Sequence, residues 1–370
     1  LIAQGIDTNG DDEIQISEAE NVMILNLNYN GNDPAKITSL EGIEFFSNLT
    51  ELNCQHQELT NLDLTSNLNI EVVIAPFNLL TNVDVHGLPN LRELALYVNN
   101  IDTVNWIGST ALERIELRGN NMTSVNISEL TNLTSLAVGM NNLTEIDLTN
   151  NLLLEHVSVY DNNIATVDVS IHQDLLTLAI SDNPISEIDV SQNPLLWSLS
   201  MSNTLITTID CSNTQVSDLS CFNNPNLIGI NVQNGVISEV IDPFFPFNFD
   251  NAPQLRLVCF DEGEEEAVNS LNANSAFLVI SSNPECILST TDHERNEVTL
   301  YPNPVQDRLF IRSHLPVTHY ELSAMTGQIL ISTSVLEDIQ NTVVTLPSGI
   351  YFIRIQTATS QTQMLKFIKE

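Results

Sequence analysis

Apolar residues recur along this chain at intervals of 21 positions. One column runs Val73, Leu94, Ile115, Leu136, Val157, Leu178, Leu199, and a second runs Cys54, Ala75, Leu96, Leu117, Val138, Val159, Ile180, Met201. Three more begin at Leu59, Leu62 and Leu64 and run on to Ile206, Ile209 and Cys211. Within each unit, apolar and polar residues alternate over two short stretches separated by bends rich in Asn, Pro and Ser, which predicts two short strands per unit. Neither strand can bury its apolar side alone. Stacking the units at the strand spacing of about 4.8 Å gives one continuous core. A column of Asn78, Asn99, Asn120, Asn141, Asn162 and Asn183 falls at one bend, where an inward amide can bond backbone groups of its own and the next turn. The expected fold is mainly β, a solenoid of about 10 turns of 21 residues followed by a small antiparallel β-sandwich.

The spacing of Leu133, Leu136, Val138, Asn141, Leu143, Thr144, Ile146, Asp147 and Leu148 resembles the leucine-rich repeat, in its short, bacterial, internalin-like form. That resemblance covers about residues 22–260 and implies a non-enzymatic binding scaffold with a near-extended second side. Residues 1–21 read as an N-terminal cap, 22–252 as the solenoid and 253–287 as a C-terminal cap with a strand at Leu255–Phe260 and a helix at about 264–272. The loop Gly31-Asn32-Asp33-Pro34 lengthens the first turn. Ile209-Asp210-Cys211 is followed ten residues later by Leu219-Ser220-Cys221, read as a half-turn that predicts a kink or bulge, and Pro243 to Phe249 breaks the pattern.

Asp7, Asn9, Asp11, Glu13, Gln15 and Glu18 occupy alternating places in a 12-residue stretch that resembles the calcium loop of EF-hands and dockerin-like modules. Calcium is a hard cation that takes a shell of oxygens. The resemblance implies side-chain ligands from Asp7, Asn9, Asp11 and Glu18, the Glu13 carbonyl, and Gln15 directly or through water. Asp12 stands where glycine normally allows the sharp turn, a departure expected to lower affinity. The alternative is a solvated acidic loop.

A second polar column, Asp63, Asp84, Asn105, Asn126, Asp147, Asp168, Asp189 and Asp210, stacks carboxylates at strand spacing, where neighbours repel by about 1 kcal/mol even in water. Either adjacent hydroxyls and backbone N–H groups offset that repulsion, or a row of cations does. On the opposite sheet Glu93, Tyr97, Arg114, Glu116, Arg118, His156 and Tyr160 point outward from neighbouring turns. Aromatic and arginine side chains anchor recognition surfaces, so these residues form either a ligand-binding face or a scattered solvent-exposed set.

Charge narrows the partners. Residues 1–291 carry 39 acids and 5 bases, and residues 292–370 carry 8 and 6, for a net charge of −36 over the 370 residues. Phosphate backbones and anionic membranes are repelled, and nucleic acid is not an expected partner. No window approaches the 18 apolar residues of a membrane-spanning helix. Leu1 follows no charged-then-apolar leader, as expected where an export signal is missing from the sequence.

After a linker at 288–297, residues 298–370 read as short alternating strands. Tyr301-Pro302-Asn303-Pro304, the turn at Gly327, the segment Leu346-Pro347-Ser348-Gly349-Ile350-Tyr351 and the basic end from Lys366 to Lys369 together resemble the type A C-terminal sorting domain of the Bacteroidetes type IX secretion system. The resemblance implies recognition of these residues by the secretion machinery and passage across the outer membrane. It also implies removal of the domain, with the cargo released or attached to surface lipopolysaccharide. In an exported protein Cys259 and Cys286 are expected to pair and close the cap, the alternative being two buried thiols; Cys54, Cys211 and Cys221 read as small core residues.

No Gly-x-Ser-x-Gly, His-Glu-x-x-His or phosphate-cradling glycine loop is present, and His56, His86, His156 and His172 are dispersed surface or bend residues. The expected role is a secreted or cell-surface binding or adhesion protein, with calcium at the N-terminal loop and a protein or glycan ligand on the solenoid. A spacer without a ligand, or the substrate-binding part of an extracellular enzyme complex, are the alternatives.

Overall fold

The computed structural model describes residues 2, 5–29, 31, 35–236, 247–264, 279–282, 299–306, 308–312, 316–325, 328–357 and 362–370. Two compact units divide the chain, Leu1–Leu288 and Ser289–Glu370.

The first unit is a β-solenoid of about nine turns. Its first side is a single sheet of eleven parallel strands that begins at Ile24–Asn26 and ends at Phe247–Asn248. Strands of three residues suffice because only the middle side chain must enter the core. Leu52, Val73, Leu94 and Ile115 are fully buried and lie directly over one another, in the register Leu52↔Val73, Val73↔Leu94, Leu94↔Ile115. The second side carries a three-stranded sheet over Asn61–Asp63, Asn82–Asp84 and Thr103–Asn105, and a four-stranded one over Thr208–Asp210, Gly229–Asn231, Leu257–Cys259 and Val279–Ser281. Between them the chain has no strand on this side, and Val125, Ile146 and Ile188 are half-buried there while Val167 is buried. The second side is thus near-extended and its ladder is interrupted.

The expected half-turn at Ile209–Cys221 is not one. Ser198–Ser200 pairs with Asp218–Ser220 in unbroken parallel register, so this turn is one residue short. The shortening falls where Asn193-Pro194-Leu195-Leu196 is replaced by Thr214-Gln215-Val216, and the Thr214 hydroxyl accepts the Val216 N–H at 3.1 Å. The expected cap is also further solenoid: Leu257–Cys259 pairs in parallel with Gly229–Asn231 and Val279–Ser281. Residues 265–272 of the expected helix at about 264–272, most of the Gly31–Pro34 loop, residues 243–246 of the pattern break, and the 288–297 linker lie outside the described residues.

The asparagine column is the polar spine of the core. Asn141 Oδ1 accepts the Met122 N–H at 3.0 Å, while its Nδ2 donates to the carbonyls of Leu117 and Val138, each at 3.0 Å. Asn99, Asn120 and Asn162 repeat this pattern. Each amide therefore ties its own turn to the preceding one, not to the next. A second internal polar column, Asn67, Ser109, Asn151, His172 and Asn193, is fully buried. His172 is a bend residue but not a surface one; its Nε2 lies 3.3 Å from the Leu148 carbonyl.

After every strand of the long sheet but the first the chain turns through one left-handed residue: His56, Phe77, Val98, Gly119, Met140, Asp161, Asp182, Asn203, Asn223 and Asn251 all have positive φ. For a residue with a Cβ this conformation costs about 1–2 kcal/mol, least for Asn and Asp.

The second unit has a four-stranded antiparallel sheet, ordered Ile329–Thr333, Val317–Ala324, Gly349–Thr357, Thr362–Lys369. A separate antiparallel pair joins Thr299–Tyr301 to Phe310–Arg312. A helix at Leu336–Thr345 buries Ile339 and Val343 against this core. The sequence reading expected strands throughout: Thr342, Val343, Val344 and Thr345 favour strand by propensity, although Leu336, Ile339 and Val343 recur at helical spacing.

Candidate functional site

The stretch Asp7–Glu18 folds into a tight loop that runs into the short helix Ile16–Ala19. Asp7 accepts the N–H groups of Gly10 and Asp12 at 2.6 and 3.0 Å, Asn9 Oδ1 that of Asp11 at 2.9 Å, and Asp11 Oδ1 that of Glu13 at 3.0 Å. Gln15 donates to Asp11 Oδ2 at 2.7 Å. Glu18 folds back over the loop, accepting the Thr8 hydroxyl and N–H, each at 2.7 Å, and the Gln15 N–H at 3.1 Å. The Thr8 hydroxyl foremost holds the Glu18 carboxyl below its usual range, and the Gln15 amide does so for Asp11. Asp12 takes φ 66°, the left-handed turn that glycine would supply, and Asp tolerates it. The all-oxygen donor set suits a hard divalent cation. Among the described residues no three His, Cys, Asp or Glu side chains converge as a metal cluster, since here the carboxylates cap the loop's own amides.

The carboxylate column is held by hydrogen bonds. Asp63, Asp147, Asp168, Asp189 and Asp210 each accept the N–H of the residue two places on, and Thr65 and Thr149 add their hydroxyls at 2.8 and 2.7 Å. Asn105 and Asn231 break up the stack of charges by donating to Asp84 and Asp210, each at 3.0 Å. Adjacent Ser and Thr hydroxyls hold the carboxyls of Asp147 and Asp168 below the usual range, and the Ser191 backbone N–H does so for Asp189.

The seven residues expected on the opposite face divide into two groups. Glu93, Arg114, Glu116 and His156 lie on strands of the long sheet; Arg114 is engaged by Glu93, and His156 Nδ1 lies 3.0 Å from the Thr177 hydroxyl. Tyr97, Arg118 and Tyr160 lie at the bend beyond the strands. The Arg118 guanidinium sits 4.6 Å above the Tyr97 ring. Tyr160 covers Gly139 so closely that a Cβ there would be 2.4 Å from the ring. Sequence reading missed two members of this edge: Phe77 meets Tyr97 edge-on at 5.4 Å and stacks on His56 at 4.4 Å. The signal was the 21-residue spacing of His56, Phe77 and Val98.

In the second unit the expected signal segments come together. Asn303 Oδ1 accepts the Ile368 N–H at 2.9 Å and its Nδ2 donates to the Lys366 carbonyl at 3.3 Å. Val305 pairs in parallel with Lys369. Tyr301 is exposed and stacked on Phe310 at 5.5 Å; Pro302, Pro304 and Lys366 are exposed. Tyr351 and Lys369 are buried instead: the Tyr351 hydroxyl donates to the Pro347 carbonyl at 2.9 Å, and the Lys369 ammonium to the Glu370 carbonyl at 2.8 Å. Gly349 has ordinary backbone, with only van der Waals neighbours about a Cβ. Gly327 lies outside the described residues. Cys259 is disulfide-bonded and Cys54, Cys211 and Cys221 are free; Cys286 lies outside the described residues.

The architecture is a β-solenoid of ~21-residue turns followed in sequence by a small antiparallel β unit. Residues 299–370 match the family described as Secretion system C-terminal sorting domain. This match implies recognition by the type IX secretion machinery and export to the cell surface or the medium. Among the described residues no helix is long and apolar enough to cross a membrane. Over its whole length the chain is similar to the functional domain of InlJ from Listeria monocytogenes, at 16% identity and a TM-score of 0.42, covering 96% of that chain. Internalin C2 from Listeria monocytogenes is 20% identical over 59% of this chain and 91% of that one, with a TM-score of 0.43. A leucine-rich-repeat protein of Leptospira interrogans is 18% identical over 66% and 81%, with a TM-score of 0.39. No curated protein matches the chain.

Proposed function

We propose that this is an exported binding protein, without catalytic activity, whose solenoid engages another macromolecule at the cell surface in an adhesive role. The observation that carries this is the exposed row at the solenoid edge, where Arg118 covers Tyr97 and Phe77 meets Tyr97. Aromatic and Arg side chains held in place by their neighbours bind with little loss of conformational freedom. A calcium ion on Asp7, Asn9, Asp11, Glu13, Gln15 and Glu18 would clamp the first turn. The terminal domain serves export and is then removed, leaving the solenoid released or attached to surface lipopolysaccharide.

The test is binding of the full chain to surface proteins and to a glycan array, in millimolar calcium and in EDTA. A saturable partner lost on Tyr97→Ala with Arg118→Ala supports the reading. A chain that binds nothing in either condition overturns it and leaves a spacer.

A further inference from the structure

At its N-terminal end the solenoid core is incompletely closed. Leu25 pairs with Leu52, so Leu27 heads the column that continues through Cys54, Ala75 and Leu96. Those three are fully buried, whereas Leu27 is half-buried. Ile14, Ile37 and Leu40 pack against the same core and are half-buried too. Beside them stands the four-residue helix Ile16–Ala19, about 6 Å long. A cavity of about 380 Å³ lies between this helix and the short helical turn Ile43–Phe45. Leu25, Leu27, Leu40 and Phe46 line it, as do Ile16 and Phe45, which are exposed. The end turn of a solenoid has apolar surface that something must cover, and apolar space of this size takes an apolar ligand in preference to water.

We infer that this cavity is a binding site for a small apolar amine, with the hydrocarbon body among Leu27, Leu40 and Phe46 and the ammonium at Glu41. It is separate from the macromolecular binding proposed above, which is carried by later turns. Among the side chains that line the cavity Glu41 alone is charged, and Ser39 alone adds another hydrogen-bonding group. The turn presenting the carboxylate is braced. The Ser39 hydroxyl accepts the Glu41 N–H at 3.1 Å, Glu44 accepts the Gly42 N–H at 3.0 Å, and Gly42 takes φ 96°. The Glu41 carboxylate itself has no hydrogen bond or ion pair among the described residues. Residues 1–58 carry 11 acids and a single Lys or Arg, Lys36. Lys36 is engaged by Glu58 at 3.9 Å and sits over the Tyr29 ring, and neither partner lines the cavity. The next base, Arg92, is paired with Glu71 and borders Glu93–Ala95, three strands along the sheet, or about 14 Å. An unpaired carboxylate beside an apolar recess attracts an amine and repels a fatty acid. The hydrocarbon supplies most of the affinity and the carboxylate fixes orientation.

The test titrates the full chain calorimetrically with 4-phenylbutylamine, 4-phenylbutanol and 4-phenylbutyrate, which share one body and differ in the head. The amine should bind one-to-one and about tenfold tighter than the alcohol, with the carboxylate weakest. Butylamine, which lacks the ring, should bind roughly tenfold more weakly than the phenyl amine. Glu41→Gln should bring the amine to the level of the alcohol and leave the alcohol unchanged. Glu44→Gln, outside the cavity, should alter neither. Leu40→Trp, which fills the recess, should abolish binding of all three. Glu41 is exposed, so its variant keeps the core intact and reads binding apart from folding. Amine binding that survives Glu41→Gln, or that butylamine matches, would be attraction to an acidic surface alone and would overturn the inference. An amine no tighter than the alcohol, or no binding by either, would overturn it as well.

Discussion

Asn303 and Ile368 lie 65 residues apart in sequence, yet the Asn303 carboxamide accepts the Ile368 backbone N–H at 2.9 Å. The Tyr-Pro-Asn-Pro segment is thereby fastened along the last strand, so the two ends of the sorting domain form one exposed surface. Asn303→Ala removes this bond and the one to Lys366, at a cost of about 1–2 kcal/mol. Faster hydrogen exchange at the Ile368 amide is expected, and unchanged exchange would show that the strand holds itself.

In the solenoid core, Asn141→Leu leaves the Met122 N–H without its partner in a buried place, while the Leu117 and Val138 carbonyls still accept from the amides of Asn120 and Asn162. A loss of about 1–3 kcal/mol follows, measured by urea unfolding. Asn126→Leu, on the exposed column, should cost far less.

Gly139→Ala tests the Tyr160 cover. The new methyl would meet the ring at 2.4 Å, so Tyr160 must swing outward, destabilising the turn by about 1–3 kcal/mol. Gly139→Ala combined with Tyr160→Ala should recover much of that loss.

Calcium binding at the N-terminal loop predicts a Tm higher by a few degrees in millimolar calcium than in EDTA. Asp7→Ala and Glu18→Gln should each abolish the difference. A wild-type Tm indifferent to EDTA would leave the loop as a self-capped turn.

The pH response has a definite sign. Asp147, Asp168 and Asp189 have folded-state pKa values below the ordinary carboxylate value. Their stabilisation is complete above the unfolded value of about 3.9 and is lost as pH falls through the lower folded values. Tm should therefore hold down to about that pH and then drop. Asp147→Asn, which can still accept the Thr149 N–H as Asn126 accepts that of Ser128, should blunt the drop.

Much of this was legible in the sequence because a solenoid repeats its own instructions. The column from Val73 to Leu199 is one instruction given seven times, and an accident in any one copy is averaged away. Features present once were misread. The helix at Leu336–Thr345 has one copy and β-branched residues, so propensity competed with periodicity. The one-residue shortening before Val216 looked like a half-turn because the Cys211 and Cys221 columns belong to opposite sides. The acidic loop was readable through its spacing, but only backbone geometry shows that Asp12 makes the turn usually left to glycine. The solenoid edge was half seen: Tyr97 and Arg118 are conspicuous residue types, whereas the oddity of Val98 lies in its φ angle.

The three buried thiols bear on how this chain leaves the cell. Burial pushes Cys54 and Cys211 up to about 12 and Cys221 higher still, so each is chemically silent once its turn has closed. In the unfolded chain the same groups titrate near 8.5 and are open to mispairing with each other or with Cys259. An oxidising compartment thus sets a race between turn closure and oxidation, and a chain that loses it carries a covalent knot. Closure of the turns around Cys54, Cys211 and Cys221 is thus also what shields the chain from that mispairing.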